Sequence, residues 1–334
     1  MLTHSKKFGV AIFAAPIALA LTLGTILGTA QAADFPSKPI KFIIPFGAGG
    51  GADIEGRLLA KEMGKVLGVK LVPVNMVGGG GARTYTHVKN AAADGYTVAW
   101  NSTSILTTTN IGNVPFEHNA LAHIGRVEWQ PMPFAVKGNA RWNSFADFIK
   151  ECKANPGKLK VSNSGTGSAT HLAAIQILDA AKCKVTHLPV GIKRRNASVL
   201  SGEADAMLAP LTGTVRLTKA KKLKLLTMAT GKRSTVFPNV PTAKELGYNV
   251  TLDLFRGLSV PKNTPAAIKA KLAGARAKAA KSKAFMGLAK KKGFTVDPLA
   301  VDKFESLLAM EDAKIKGIMK SAGLYRSKKP KMKK

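Results

Sequence analysis

Short apolar runs alternate along this chain with segments whose apolar residues recur at helical spacing. Residues 40–45, Ile-Lys-Phe-Ile-Ile-Pro, form a short run of β-branched and aromatic side chains and predict a buried strand. A glycine-rich turn follows, then an amphipathic stretch predicting a helix over 53–67. Strands are predicted at 70–74 and 96–100, with a helix over 84–92 between them. Two further strands, at 124–127 and 133–136, lead out of this unit. A second alternating unit begins with a helix over 144–154, stopped by Asn155-Pro156-Gly157. Strands at 159–162, 185–188, 206–209 and 223–229 and helices over 169–181 and 197–201 complete it. From residue 258 the chain reads as helical, over 265–292 and 301–322, with Leu307, Met310, Ile315, Ile318 and Met319 as a core-facing stripe.

Strand–helix–strand repetition implies right-handed crossovers and mainly parallel sheets. The pattern predicts an α/β protein of two lobes, with the C-terminal helices packing back on the first. The first lobe takes residues 33–135 plus 254–325, and the second takes 136–253. The chain then crosses between lobes twice, near Val136 and near 252–255, which makes a hinge and a cleft.

The N-terminus changes where this fold is placed. Lys6 and Lys7 precede an apolar run, and Ala30-Gln31-Ala32 fits a small-x-small cleavage pattern, so residues 1–32 are expected to be a signal peptide. The run contains Pro16, Gly24 and Gly28 and is followed by polar chain, which argues against a membrane anchor. The expected location is the periplasm. The two cysteines, Cys152 and Cys183, are then expected to form a disulfide, since their spacing does not suit a metal site.

Composition narrows the function. A hydrophobic content of 46% in 334 residues is that of a globular chain with a sizeable core. The formal net charge of +32 raises nucleic-acid binding, but aromatics are only 6%, too few for stacking platforms, and the basic residues are spread over most helices. The charge therefore reads as a lysine-rich solvated surface that speeds the arrival of anionic ligands. Residues 326–334 form a basic tail expected to be disordered.

Two loops carry the candidate chemistry. Pro45-Phe46-Gly47-Ala48-Gly49-Gly50-Gly51-Ala52-Asp53 joins a predicted strand to a predicted helix, where glycines expose N–H groups and the helix N-terminus favours an anion. Gly47, Gly49 and Ala52 also satisfy the dinucleotide fingerprint, but no acid closes the second strand, which ends near Asn75, and no Gly-Lys-Ser/Thr follows for a P-loop. No cofactor is expected. Asp53 reads equally as a ligand contact or a first-turn residue offsetting the helix dipole. Ser162-Asn163-Ser164-Gly165-Thr166-Gly167-Ser168-Ala169-Thr170 again runs from strand to helix and offers hydroxyls beside amides. His171 reads as a structural hydrogen-bonder, because no acid near it suggests a triad and no nucleophile elbow exists.

With both loops in view, the chain resembles the substrate-binding proteins of the tripartite tricarboxylate transporter family, also called the Bug family. The landmarks are Phe35-Pro36-Ser37-Lys38-Pro39-Ile40, Pro45-Phe46-Gly47-Ala48-Gly49-Gly50, Asp94-Gly95-Tyr96-Thr97, Asn155-Pro156-Gly157-Lys158-Leu159 and Gly165-Thr166-Gly167-Ser168. Thr186-His187-Leu188-Pro189, Phe237-Pro238-Asn239-Val240-Pro241-Thr242 and Lys320-Ser321-Ala322-Gly323-Leu324 follow in order. The resemblance implies a type II-like periplasmic binding protein that takes a tricarboxylate, dicarboxylate or aromatic acid and docks on membrane permease subunits as a monomer. Its ligand contacts carry over to Phe46, Ala48, Gly49, Gly50, Asp53, Ser164, Gly165, Thr166, Gly167, Ser168 and Thr170, with Asn101, Ser102 and Thr103 as a third wall. The chain departs from the family pattern at Val190-Gly191-Ile192-Lys193 and at Ala209-Pro210, so Val190 and Ala209 join His171 as supporting positions. Lys193, Arg194 and Arg195 read as a solvated basic face at the rim. The rival readings are a sensor's ligand-binding partner and a periplasmic enzyme, and the latter lacks a catalytic constellation at convincing spacing.

Overall fold

In the computed structural model, which describes residues 1–3 and 35–326, the chain builds two sheets. The rest of the expected leader and the tail beyond Arg326 lie outside the described residues. The first unit runs β1 (Ile40–Ile44), α1 (Gly51–Leu67), β2 (Leu71–Asn75), α2 (Ala82–Lys89), β3 (Thr97–Ser102), α3 (Ser104–Asn110) and β4 (Leu121–Gln130). The second runs β5 (Pro133–Lys137), α4 (Phe145–Ala154), β6 (Lys160–Ser162), α5 (Ala169–Ala180), β7 (Thr186–Leu188), α6 (Gly191–Ser201), β8 (Ala206–Leu208), α7 (Val215–Lys219) and β9 (Leu223–Met228). The chain then returns through β10 (Leu254–Pro261), α8 (Ala266–Ala280), α9 (Lys283–Lys292), β11 (Thr295–Leu299) and α10 (Val301–Ser321).

The first sheet has the order β11-β4-β10-β3-β1-β2 and the second β7-β6-β8-β5-β9, so each lobe is an α/β layer structure. The sheets are mixed rather than mainly parallel. β1 pairs in parallel with β2 and β3, and β6 with β7 and β8, through helical crossovers. The strands at the crossings, β4, β5 and β10, pair antiparallel because they carry the chain out of one sheet and back. The chain leaves the first sheet between Gln130 and Pro133 and rejoins it at Leu254.

β10 was not predicted, and it is the central strand on which β3 and β4 both pair. All eight of its residues are buried, including Arg256 and Ser259, so no alternation of apolar and polar positions marks it. α3 was also missed, since its Ser-Ile-Leu-Thr-Thr-Thr-Asn sequence is rich in β-branched residues of poor helix propensity. The helical stretch after 265 divides into α8 and α9 at Ser282, whose hydroxyl caps the second helix at Phe285 N–H. In α10 the buried stripe is Phe304, Leu308, Ile315 and Met319, while Met310, expected inside, is exposed.

The second lobe packs around Phe134, which meets Phe145 and Phe148 edge-on at 5.1 and 4.9 Å between ring centres. α4 starts from a capping box in which Ser144 and Asp147 satisfy each other's backbone amides. The end of α4 is tied by a disulfide between Cys152 and Cys183, whose Cα atoms lie 5.7 Å apart. Closing a loop of this length removes about 3–4 kcal/mol of denatured-chain entropy.

Candidate functional site

One cavity of about 270 Å³ lies between the two strand-to-helix loops. Phe46, Gly47, Gly50, Gly51 and Ala52 line it from the first lobe and Ser164 through Thr170 from the second. Glycine lets the chain approach closely at two points, and at Gly167 the left-handed backbone requires it. A Cβ on Gly167, whose φ is +71°, would clash with Ile111 Cδ1 just past the end of α3. A Cβ on Gly51 would meet Thr212 Cγ2, across the cleft, at 3.1 Å.

The first loop is stapled from behind by Asp53. Its carboxylate accepts from Gly49 N–H at 3.0 Å, Arg57 Nε at 2.8 Å and Asn75 Nδ2 at 2.8 Å. Asn75 Nδ2 also reaches the Phe46 carbonyl at 2.8 Å. Burial raises the Asp53 carboxyl, but these hydrogen bonds outweigh it and hold it below the usual range. Asp53 does not line the cavity, and Ala48 and Gly49 are exposed to solvent. α1 has no side-chain cap at Gly50, and the amides of Gly50, Gly51 and Ala52 have no partner among the described residues. Trp100 Nε1 fixes this end by donating to the Ala52 carbonyl at 3.0 Å.

The second loop is stapled differently. Asn163 Oδ1 accepts from Gly165 N–H and Thr170 Oγ1 from Ser164 N–H, both at 2.9 Å. His171 Nδ1 accepts from Gly167 N–H at 3.0 Å, and Ser168 Oγ caps His171 N–H at 3.3 Å. Several amides expected to face a ligand are therefore spent on the loop itself. Those of Thr166, Ala169 and Thr170 have no partner among the described residues, and the hydroxyl-bearing Ser164, Thr166, Ser168 and Thr170 all line the cavity. His171 packs edge-on to His187 with centroids 4.8 Å apart, and burial, then the neighbouring His187, pushes its imidazole down to about 4. It is neutral at pH 7, an acceptor at Nδ1, and stands outside the lining.

The expected third wall is only partly there. Ser102 lines the cavity, but Asn101 turns to Ser259 Oγ and His123 on the far face, and Thr103 Oγ1 accepts from Phe255 N–H at 3.1 Å. Strand alternation explains Asn101, since neighbours on β3 point to opposite faces, while Thr103 lies past β3 with helical backbone and turns to the β10 main chain. Ser104, Thr107 and Thr108 of the unpredicted α3 and Ile111 at its end supply the wall instead, with Gly79 and Gly80 beside them. The four glycines at 78–81 were the overlooked signal: Gly79 and Gly80 have φ of +55° and +69°, and Gly80 O accepts from Thr108 Oγ1 at 3.1 Å. Val190 and Ala209 stand outside the lining, which takes Ile192 and Pro210 instead.

Two arginines reach the cavity, and sequence reading placed neither there. Arg256 on β10 is buried between Glu55 and Glu128, bonding Glu55 through Nε and standing 3.3 Å from Glu128 Oε1. Gln130 Nε2 donates to both carboxylates at 3.2 and 3.3 Å, and its Oε1 accepts Thr212 N–H across the crossing at 3.2 Å. Burial, then the adjacent Glu55, raises the Glu128 carboxyl well above its usual range. Arg195 on α6 was read as part of an exposed rim. It is 5% exposed, donates through Nη1 to Ser164 Oγ, and has no carboxylate partner among the described residues. Burial alone draws its guanidinium down to about 10. No acidic side chain lines the cavity among the described residues.

Two mixed α/β lobes joined by two crossings, with a cavity between their helix N-termini, define a two-lobed solute-binding protein. Comparison with known proteins agrees. The TctC family model, for the tripartite tricarboxylate transporter family receptor, matches residues 56–324, and the chain belongs to that family. It is thus a solute-binding protein and not an enzyme. A UPF0065 protein of Agrobacterium vitis is 30% identical over 298 residues, covering 87% of this chain and 81% of the relative. BugT of Bordetella pertussis is 26% identical over 92% of this chain and 97% of its own length. Among solved structures, a TctC solute-binding protein from Polaromonas is 31% identical with a TM-score of 0.70, covering 86% of this chain and 99% of that one. The periplasmic binding protein BugD is 26% identical with a TM-score of 0.81, covering 87% of this chain and 99% of its own.

Proposed function

We propose that the protein captures a small carboxylate between its two lobes in the periplasm, after removal of residues 1–32, and hands it as a monomer to membrane permease subunits. The observation that carries this reading is the pair of helix N-termini, α1 and α5, opening into one cavity whose lining holds no acidic side chain among the described residues. A carboxylate there is held by amides and hydroxyls that need no reorganisation. MatC from Rhodopseudomonas palustris, solved with malate, shares the fold at a TM-score of 0.78 and 24% identity over 85% of this chain and 99% of that one. The hinge is the Gln130–Pro133 crossing together with the return into Leu254, so the lobes close on the ligand as rigid bodies.

Thermal unfolding of the mature protein with citrate, malate, adipate and benzoate tests this. A ligand at a hundred times its Kd stabilises by about 2.7 kcal/mol and raises the midpoint by several degrees. The expected result is such a rise with at least one acid, recovered unchanged. No rise with any of them, or conversion of the acid, contradicts the reading.

A further inference from the structure

We propose that Arg195 is a specificity-determining residue that restricts the ligand to small molecules carrying two oxyanion groups. This deepens the carboxylate reading above and rests on it.

The argument is one of charge balance inside the cavity. Arg195 and Arg256 are the charged residues in its lining among the described residues. Arg256 is neutralised where it stands by Glu55, with Glu128 held towards its protonated form beside them. Arg195 is not neutralised: among the described residues its Nη1 bonds only a serine hydroxyl, and its buried Nε has no partner. A buried guanidinium in that state is strongly favoured to gain an anion, and its planar fork suits a carboxylate. It stands beside the loop that leads into α5, whose first amides are free. The free amides of α1 face the cavity from the other lobe. Asp53 in the first turn of α1 does not cancel them, because Arg57 pairs with it.

Each helix N-terminus is equivalent to about half a positive charge, so the two with Arg195 present roughly two positive charges to the ligand. A monocarboxylate satisfies one end only. Seated on α1 it leaves the guanidinium bare, and seated on Arg195 it leaves the first lobe without a contact to close on. A dianion spans both ends and joins the lobes.

The test compares diacids with their own monoamides, which replace one carboxylate by a neutral group of the same shape. Dialysed mature protein is titrated by calorimetry with succinate, glutarate and adipate, and with succinamate, glutaramate and adipamate. The proposal expects the preferred diacid to bind roughly 100-fold tighter than its monoamide. Arg195→Met is expected to lose about that factor for the diacid and less than about threefold for the monoamide, and Arg195→Lys to fall between. Monoamides that bind as tightly as diacids overturn the dianion proposal and leave the carboxylate reading standing. An Arg195→Met variant that weakens both ligands equally also overturns it. Failure of all six compounds to bind overturns the dianion proposal, and the carboxylate reading falls with it only if citrate, malate and benzoate also leave the melting midpoint unmoved. The wild-type comparison decides the matter should Arg195→Met not fold.

Discussion

The two buried arginines of the cavity show how the same side chain serves opposite ends. Arg256 sits on the central strand of the first sheet with Glu55 and Glu128 against it, and the Gln130 amide ties that cluster to Thr212 of the second lobe. Its charge is spent on holding the protein together. Arg195 sits on a helix of the second lobe with a single hydroxyl for company, so its charge remains for something that arrives. Burial in both cases costs several kcal/mol per ion before any partner is counted. The difference lies in whether the fold or the ligand supplies the partner.

That contrast is broken most sharply by removing each charge in turn. Arg256→Met strands the buried Glu55 carboxylate beside Glu128 and is expected to cost about 3–5 kcal/mol in urea unfolding. Arg195→Met strands only Ser164 Oγ and is expected to change stability by less than about 1 kcal/mol, since removing an unpaired buried charge offsets the lost contact. Equal losses in the two variants would contradict the division of roles.

The disulfide sharpens the comparison of the lobes. Replacing Cys152 and Cys183 together by serine should cost about 3–4 kcal/mol, measured as a lower urea midpoint without a change of the first lobe's amide exchange. Loss of protection spread evenly over both sheets would argue that the lobes unfold as one.

Gly167→Ala comes next. A left-handed backbone costs a non-glycine residue about 1–2 kcal/mol, and the new methyl meets Ile111. The steric part is recovered in the double variant Gly167→Ala with Ile111→Ala, and ligand affinity should recover with it. A single variant that binds as well as the parent would show that the loop does not approach α3 in the ligand-bound state.

The smallest effect is on pH. His171 is held neutral in the fold at about 4, below its unfolded value of 6.5. The unfolded chain therefore takes up the proton first, and this contribution is complete above 6.5 and lost as pH falls towards 4. His123, pushed by burial and by His118 to about 3, acts in the same direction. Asp253, raised mainly by burial to about 6, acts oppositely, its contribution fading as pH rises from 3.8 to 6. His171→Asn keeps an acceptor near Gly167 N–H and removes one term. The difference between wild-type and variant melting temperatures should shrink on acidification from pH 7 to 4.5. A difference independent of pH would contradict the neutral, buried imidazole.

Much of this was legible before any coordinates. The alternation of strand and helix and both glycine loops follow from local spacing, because local physics dominates there. What escaped was set by tertiary contact. β10 hides because all its residues are buried, and α3 because packing overrides the low helix propensity of its threonines. Arg195 hides inside Lys193-Arg194-Arg195, which looks uniformly solvated. One helical step of about 100° separates Arg194, exposed and paired to Glu203 at 2.8 Å, from Arg195, turned inward. A helix predicted from 191 instead of 197 would have shown it. Asn101 was misplaced for a similar reason, since a strand turns every second residue away from the site, and Thr103 because the chain already bends into α3 there.

The central claim is that the two lobes hold an anion between the start of α1 and Arg195 of α6. A crystal structure of the mature protein soaked with the tightest diacid tests it most directly. The account predicts one carboxylate within hydrogen-bond distance of the Gly50–Ala52 amides and the other on the Arg195 guanidinium. A diacid found elsewhere, such as in the second cavity beside Asp253 and Glu311, with the Arg195 guanidinium untouched, would contradict it.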